Sequence, residues 1–282
     1  MKATINQAYY ETRLSRVTAY IHDHLDEELD LNKLADIACL SPYHWHRIYH
    51  AVLGETIAAT VKRLRLQRAA ELLAHSVMPI EQIAKKSGYE NVQSFTRIFA
   101  AAYGLPPAQY RKQGSHVQYQ NKSEERSKVM FNVELKTIPS IKAITLNHSG
   151  SYQSIGKTFE TLHGLLHMRN MVHQPVQLIG IYYDDPNAVA EEKLRSKAGA
   201  ILETTSVEAP LERTEIAGRR YAVLRHIGPY SDLMSAYNWL YQTWLMQSGE
   251  QPADAPPFEL YMNTPMDTAP ADLITDIHLP LR

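Results

Sequence analysis

The first candidate functional residues of the chain form a short polar run within an apolar helical pattern. Gln93, Ser94 and Arg97 lie in the stretch GYENVQSFTRIFAAAYGLPPAQYR, from Gly88 to Arg111, whose apolar residues recur at helical spacing. The three polar residues fall on the faces that the apolar side leaves open. Gln and Arg are side chains that form paired hydrogen bonds with the edges of adenine and guanine. The stretch therefore predicts a helix with one buried side and one side suited to reading DNA bases.

Two predicted helices flank a glycine-containing turn at this place. A short apolar helix from Ile80 to Lys86 precedes the Gly-Tyr-Glu-Asn turn, and Gly104 followed by two prolines ends the second helix. This is the layout of a helix-turn-helix, whose second helix, here called the reading helix, can enter a DNA major groove. Similar helix pairs also occur in proteins that never bind DNA. The pair alone leaves both interpretations open.

The stretch has a second copy upstream, which favours the DNA interpretation. LADIACLSPYHWHRIYHAVLG, at 34–54, aligns with IAKKSGYENVQSFTRIFAAAYG, at 83–104, and Trp45 and Arg47 fall opposite Phe95 and Arg97. In the upstream reading helix, Tyr43, His46 and Arg47 are expected to face outward. These three residues are its candidates for contact with base edges.

A long helix is predicted between the two copies, from Thr56 to His75. At about 1.5 Å per residue it spans about 30 Å, close to the roughly 34 Å of one turn of duplex DNA. It could therefore hold the two reading helices in successive major grooves. Its basic residues are expected either on a solvated face or at phosphates; they are Lys62, Arg63, Arg65 and Arg68.

From residue 129 onward the pattern changes to the alternation that is typical of strands. IPSIKAITLNHSGSY, at 138–152, aligns without gaps with IAGRRYAVLRHIGPY, at 216–230, and a helix and two strands are expected after each copy. Two strand-helix-strand-strand halves should pair about a pseudo-twofold axis into an α+β domain, with helices on one side of an antiparallel sheet. A cleft at such an axis is a natural small-molecule site.

One carboxylate and a group of aromatic residues are expected at this axis. Glu259 interrupts an apolar strand where the first half has Gly180, and a buried carboxylate is costly unless it is paired. Its expected role is to attract a cationic ligand, assisted by cation–π attraction, and a solvent-facing strand residue is the other interpretation. The aromatic candidates for this effector site, each of which could instead be plain core, are Tyr152, Tyr182, Tyr230, Trp239, Trp244 and Tyr261.

Charge is segregated along the 282 residues, although the whole chain is close to neutral at −1. Residues 1–128 carry 17 Lys and Arg against 13 Asp and Glu, a net +4, whereas residues 129–282 carry 12 against 17, a net −5. A basic half suits phosphates, and an acidic half suits cationic partners or solubility. Apolar runs fall short of the roughly 20 residues that span a bilayer, and the N-terminus lacks a signal peptide's apolar core. We expect a cytoplasmic protein that does not contact a membrane.

Metal, disulfide and catalytic chemistry are not indicated. The single Cys39 excludes an internal disulfide and is expected on the buried side of a predicted helix. His44, His46 and His50 invite a metal interpretation, but no HExxH pattern is present and no carboxylate lies at ligand spacing. No metal, cofactor or catalytic residue is therefore expected.

The chain resembles known families over nearly its whole length. Residues 8–112 resemble the DNA-binding domain of the AraC/XylS transcription regulators, and the stretch from Gly88 to Arg111 is similar to that family's C-terminal signature. Residues 113–128 have few apolar residues and are expected to form a linker. Residues 129–282 resemble the GyrI-like effector-binding domain. The order of the two domains resembles that of the Rob type of regulator.

The resemblance implies a function and a set of partners. It implies a seven-helix unit that binds double-stranded promoter DNA as a monomer, with two helix-turn-helices on one DNA face, and that acts through RNA polymerase, as an activator. By position it implies the same six base-contacting residues, and it matches Glu259 to an acidic residue that binds cationic or amphipathic, drug-like effectors. Two alternatives for the second domain stay open: a small-molecule hydrolase, with Glu259 as general base beside Tyr230 or Tyr261, and a protein-binding module.

Overall fold

The computed structural model describes most of the chain, at residues 2–113, 131–172, 174, 176–203, 207–265 and 268–282. The predicted linker at 113–128 lies outside the described residues except for its first residue, which ends a helix. Within the described ranges, every helix is too short or too polar to cross a membrane.

The chain divides into two compact units that do not follow the order of the sequence. The helical unit comprises Tyr10–Leu40 and Leu53–Arg126, and the sheet unit comprises Met1–Tyr9, Ser41–Val52 and Ser127–Arg282. Ser41–Val52, which holds most of the first reading helix, therefore belongs to the same unit as the C-terminal half. The predicted domain limits at 8–112 and 129–282 stay a prediction.

Seven helices occupy residues 2–113, as the resemblance implies. They are α1 (Lys2–Asp23), α2 (Leu31–Ala38), α3 (Trp45–Leu53), α4 (Ile57–His75), α5 (Ile80–Lys86), α6 (Val92–Tyr103) and α7 (Pro107–Gln113).

The second reading helix, α6, begins and ends as its sequence predicts. The side chain of Asn91 accepts a hydrogen bond from the Ser94 amide at 2.8 Å, which satisfies one of the amides left without a partner in the first turn. Phe95, Phe99 and Tyr103 are buried along one face, and their rings contact one another in sequence. The helix is therefore fixed by its cap at one end and by an aromatic ladder along its length.

The arginines of α4 form hydrogen bonds and an ion pair within the helical unit. Arg65 donates from Nε to the carbonyl of Leu25 at 2.7 Å, and Arg68 donates to the carbonyl of His22 at 2.8 Å. Arg63 forms an ion pair with Glu55. Three of the four basic residues considered for phosphate contact are thus engaged within the unit.

Cys39 is exposed, and the expectation that it would be buried is wrong. The helix α2 ends at Ala38, and Cys39 forms its C-terminal cap in the left-handed conformation, with φ of 50°. Helical periodicity no longer applies after that cap, so it misplaces the side chain.

The C-terminal half forms one eight-stranded antiparallel sheet. Its strands are β1 (Val133–Ile138), β2 (Ile141–Ser149), β3 (Leu178–Tyr182), β4 (Arg195–Ile201), β5 (Glu212–Ile216), β6 (Arg219–Ile227), β7 (Phe258–Tyr261) and β8 (Ile274–Pro280). The order across the sheet is β1-β6-β8-β7-β3-β4-β2-β5. This order is symmetric about the β3–β7 pair, where the two halves meet.

The structure confirms the α+β architecture of two related halves and adds one strand to the start of each. The added strands, β1 and β5, are exchanged: β1 pairs with β6 of the second half, and β5 pairs with β2 of the first. Each exchanged strand forms an edge of the sheet and is mostly exposed. The halves are consequently joined both at the axis and at the two edges.

Each half passes from strand to helix through the repeated His-x-Gly-x-Tyr turn. Gly150 and Gly228 have φ of 105° and 142°, a region that side chains rarely adopt. The His148 ring is hydrogen-bonded to Thr158 Oγ1 at 2.8 Å and to the Ser151 carbonyl at 3.0 Å, which closes the first turn. The turns lead into α8 (Gly156–Met168) and into α9 (Leu233–Trp239), which continues as a π-helical segment (Leu240–Leu245) and α10 (Met246–Ser248).

The cap of α6 supplies a local stability test. Replacing Asn91 by Ala should cost about 1 kcal/mol in the stability of the first turn, because the Ser94 amide loses its acceptor. Amide hydrogen exchange of the first turn, measured in the full chain, should then be about fivefold faster. Asn91→Asp keeps an acceptor and should exchange like the wild type; equal exchange in the Ala variant would contradict the capping role.

Candidate functional site

The carboxylate of Glu259 lies at the junction of the two halves. In the β3–β7 pair, Glu259 is the direct partner of Gly180, so the glutamate faces the glycine at the matching position of the other half. Glu259 is 3% exposed. The interpretation of Glu259 as a solvent-facing strand residue is therefore wrong, because its strand is covered on both faces.

Tyrosine hydroxyls satisfy this buried carboxylate. Tyr237 on α9 donates to Glu259 Oε1 at 3.0 Å, and Tyr261 on β7 donates to Oε2 at 2.9 Å. The hydroxyl of Tyr182, from the first half, lies 2.6 Å from that of Tyr261. We call Glu259, Tyr182, Tyr237 and Tyr261 the carboxylate cluster. It joins residues of both halves in one hydrogen-bonded network.

In this cluster the pKa of the Glu259 carboxyl group lies close to neutral pH. Burial raises the pKa of Glu259 to about 7, against the lowering effect of the hydrogen bonds from Tyr261 and Tyr237 and of the Arg47 charge. Burial, followed by the charge of Glu259, raises the pKa of Tyr237 and of Tyr261, which keeps both hydroxyls protonated as donors. A cation that reaches the carboxylate would stabilise its ionised form.

Gly180 makes room for the cluster. A Cβ atom at this position would lie 2.7 Å from the Tyr261 hydroxyl oxygen and 2.9 Å from that of Tyr182, closer than real Cβ contacts. The asymmetry between glycine in one half and glutamate in the other thus has a steric reason. A side chain on both strands would leave no space for the tyrosine hydroxyls.

The remaining aromatic candidates take different places. Tyr152 contacts the Tyr182 ring at 4.9 Å between centroids and donates to the Asp184 carbonyl, and Tyr230 contacts the Tyr261 ring at 5.5 Å. Trp239 packs against Phe131 at 5.6 Å. Within the described part of the chain, neither Trp239 nor Trp244 has a ring contact with the cluster. The structure brings together the tyrosines of the predicted set and leaves out the two tryptophans.

Tyr237 is the cluster residue that the sequence-based candidates lack. Tyr237 has helical spacing with Leu233 and Leu240, which is typical of the apolar side of a helix. The signal available in the sequence is that the equivalent position of the first half holds Phe159, which has no hydroxyl. A tyrosine that replaces phenylalanine in a buried repeat position indicates a partner for its hydroxyl group.

The polar side of α6 is open, as predicted. Gln93 and Arg97, four residues apart on the helix, are exposed, and Ser94 is partly buried beside its capped amide. Residues at this spacing share one helix face. This face is free to approach a base edge, and the contact of its three residues with DNA stays a prediction.

The first reading helix has a different environment. Tyr43 and Arg47 are partly buried, and His46 is 9% exposed, so the expectation that all three would face outward is wrong for His46. The His46 ring packs on Trp45 at 4.1 Å between centroids, and burial lowers the pKa of His46 to about 4. His46 is therefore neutral at physiological pH, and the assignment of Tyr43, His46 and Arg47 to base contact stays a prediction.

Arg47 lies against two tyrosine rings of the sheet unit. Its guanidinium carbon is 4.5 Å from the centroid of Tyr237 and 5.2 Å from that of Tyr241, within the range of cation–π attraction. Tyr237 is the same residue that donates to Glu259. Arg47 and the carboxylate cluster are thus linked through one shared side chain.

The neighbouring histidines make side-chain contacts of a different kind. His44 Nδ1 is hydrogen-bonded to the Tyr241 hydroxyl at 2.7 Å, and His50 Nδ1 to Gln242 Nε2 at 3.1 Å. Among the described residues no three His, Cys, Asp or Glu side chains gather in a way that could hold a metal ion.

The helix-turn-helix with its open Gln and Arg face is typical of DNA-binding proteins. The duplicated sheet around a buried carboxylate is typical of a ligand-binding domain. Residues 34–113 match the helix-turn-helix domain family, of AraC type, and residues 131–282 match the GyrI-like small molecule binding domain. The second match covers more than half of the chain. The chain belongs to the GyrI-like family, joined to an AraC-type helix-turn-helix, and the predicted resemblance is confirmed.

Bacterial proteins match about a third of this chain. YbfP of Bacillus subtilis, named an uncharacterized HTH-type transcriptional regulator, is 31% identical over 103 residues, which cover 36% of this chain and 35% of YbfP. The right origin-binding protein of Escherichia coli is 33% identical over 93 residues, covering 33% and 32%. The chain thus spans about a third of these relatives. The solved EcmrR C-terminal domain is 20% identical, with a TM-score of 0.48 over 55% of this chain and 99% of that domain.

The close approach at Gly180 generates a second prediction. Gly180→Ala should force the Tyr182 and Tyr261 hydroxyls apart and lower the stability of the sheet by about 1–3 kcal/mol, as overpacking does. Thermal unfolding of the full chain, followed by calorimetry, measures this as a lower midpoint for the transition of the sheet unit.

A matched glycine on α8 provides the control. A Cβ atom at Gly164 would meet nothing within 4 Å, so Gly164→Ala should be neutral or slightly stabilising. If both variants unfolded at the same temperature, the steric role of Gly180 would be contradicted.

Proposed function

We propose that the chain is a sequence-specific DNA-binding regulator of transcription, an activator, whose GyrI-like domain binds a small cationic or amphipathic effector. The observation that carries the DNA part is the open face of α6, which presents Gln93 and Arg97 on a helix fixed by its cap and its aromatic core. The names of the relatives that match the helix-turn-helix support regulation of transcription.

Contact with DNA would follow from the same face. We propose that α6 enters a major groove with Gln93, Ser94 and Arg97 at base edges. Tyr43, which precedes α3, and His46 and Arg47 of α3 would do so in the next groove. A monomer would then cover a promoter site of two successive major grooves and would act through RNA polymerase.

The carboxylate cluster carries the effector part of the proposal. Glu259 is a buried acid whose pKa lies near 7, and it is surrounded by tyrosine rings. A cation gains charge attraction from this carboxylate and cation–π attraction from the rings. We propose that this site binds its ligand without turnover, since both carboxylate oxygens already accept tyrosine hydroxyls and are not set against an attacking group.

The DNA proposal is tested on Arg97. Arg97→Ala should weaken binding to a duplex that the wild-type chain selects from a random pool by about 1–3 kcal/mol and should relax the preference at one base pair. Fluorescence anisotropy at fixed salt measures both effects.

Arg16 on α1 is an exposed arginine outside the reading helices and serves as the charge-matched control. Arg16→Ala should change affinity little and leave base preference intact. Should Arg97→Ala bind the selected duplex with wild-type affinity and preference, α6 would not be a reading helix.

The effector proposal is tested with benzamidinium, a planar cation on an aromatic ring. Because a cation favours the ionised form of Glu259, its affinity for the full chain should rise by up to about tenfold between about pH 6 and about pH 8. Isothermal titration calorimetry measures the affinity, with neutral benzamide as the matched ligand.

Glu259→Gln removes the ionisable group and should abolish this pH dependence, along with most of the binding. Glu192→Ala removes an exposed carboxylate elsewhere in the sheet unit and should behave like the wild type. Equal affinity of benzamidinium for the wild type and for Glu259→Gln would exclude the carboxylate cluster as the cation site.

A further inference from the structure

The segment Ser41–Val52 has two roles that one conformation cannot serve together. By sequence it carries the residues proposed to read DNA in the first groove, and in the structure it is part of the sheet unit. Arg47, which is proposed to face a base edge, therefore faces tyrosine rings instead. The contacts of this segment show what holds it there.

Arg47 is a cation beside the carboxylate cluster. Its guanidinium lies over the rings of Tyr237 and Tyr241, at 4.5 Å and 5.2 Å from their centroids. The hydroxyl of Tyr237 donates to Glu259, and the Arg47 charge acts on the same carboxylate. A guanidinium is planar, delocalised and always charged, which are the properties that suit stacking on aromatic rings beside an acid.

Three hydrogen bonds to the C-terminal half also hold the same segment. Ser41 Oγ donates to Asp254 Oδ1 at 2.9 Å, which places an acidic side chain at the start of the segment. His44 is fully buried against the Tyr241 hydroxyl, and His50 is hydrogen-bonded to Gln242. The partners of all three, Asp254, Tyr241 and Gln242, lie in the C-terminal half and are not members of the carboxylate cluster.

These contacts exclude DNA reading while they last. An arginine reads guanine with its guanidinium edge lying in the plane of the base, and the guanidinium must then be free of other partners. Arg47 between tyrosine rings is not free in this sense. Binding of the first reading helix to a groove requires Arg47 to leave the rings.

We propose that Arg47 is the resident cation of the effector site and that an effector with a planar amidinium or guanidinium group binds by displacing it, which releases Ser41–Val52 for DNA. This inference rests on the proposed function and names its ligand class and its regulation. Effector and DNA then favour the same released state, and each must raise the affinity of the other by the same factor. Without the effector, the affinity of the chain for DNA is lowered, because only a small fraction of the chains is in the released state.

The first test loosens the segment without touching Arg47, the cluster or the reading residues. The double variant Asp254→Ala, Gln242→Ala removes two hydrogen bonds from the C-terminal side. It should bind the duplex selected by the wild type at least about fivefold more tightly, and benzamidinium should add little further affinity. In the wild type, benzamidinium should itself tighten DNA binding.

The control for this test removes charge alone. Glu192→Ala also takes one negative charge from the sheet unit, so any general electrostatic gain in DNA affinity should appear in both variants and on unselected duplexes. A gain confined to the double variant and to the selected duplex supports the inference. Unchanged DNA affinity of the double variant, in a chain that binds its duplex, overturns it.

The second test measures the competition directly and needs no DNA. Arg47→Ala removes the resident cation, so benzamidinium should bind this variant at least about fivefold more tightly than the wild type, whereas a merely structural arginine would leave the affinity equal or lower it. Arg16→Ala is the charge-matched control and should show wild-type affinity.

The two proposals fail in different ways. If Glu259→Gln abolishes benzamidinium binding but Arg47→Ala does not strengthen it, the effector site stands and the displacement of Arg47 is wrong. If benzamidinium fails to bind any variant, the ligand class proposed here is wrong, and the DNA affinity of the double variant then decides whether the segment is held back.

Discussion

The structure of the C-terminal half depends on the burial of one carboxylate at the axis between its two halves. A buried acid costs free energy unless donors replace the water it loses. Glu259 obtains these donors from Tyr237 and Tyr261, and Tyr182 of the other half closes the network. This requires the β3–β7 pairing, a glycine opposite the glutamate, and a helix that brings Tyr237 to the sheet. The two repeated halves form the sheet, and the site forms where the halves differ in sequence, at Gly180 and Glu259.

The same network gives the first reading helix its environment. Arg47 stacks on a tyrosine that donates to Glu259, while Ser41 and His50 are held by side chains of the C-terminal half. The α6 helix, by contrast, leaves Gln93 and Arg97 exposed. The two reading helices, which are similar in sequence, are therefore unequal in the structure. Under our proposal, ligand binding at Glu259 and access of Arg47 to DNA depend on the same side chain, Tyr237.

Much of the fold could be predicted from the sequence where a signal is local. Asn91 before the apolar periodicity and Gly104 after it predict α6, and the gapless repeat predicts the two halves. The edge strands β1 and β5 were missed because the gapless repeat begins only at their last residues, 138 and 216, and because both strands carry charge and are mostly exposed. The buried His46 was missed because periodicity describes one helix, whereas a side chain that points away from its own helix core can be covered by a distant part of the chain.

The ionisation of Glu259 is the property on which the account rests most directly. It can be measured by carbon-13 NMR of the full chain with labelled glutamate, with Glu259→Gln to identify the signal, in the free protein and with saturating benzamidinium. We predict a pKa of about 7 in the free protein and a lower value in the complex, because the effector's cation is proposed to lie against the carboxylate itself, whereas the Arg47 that it displaces lies over tyrosine rings. A pKa near the ordinary value of about 4.3, or one that the bound cation leaves unchanged, would contradict the assignment of this carboxylate as the effector site.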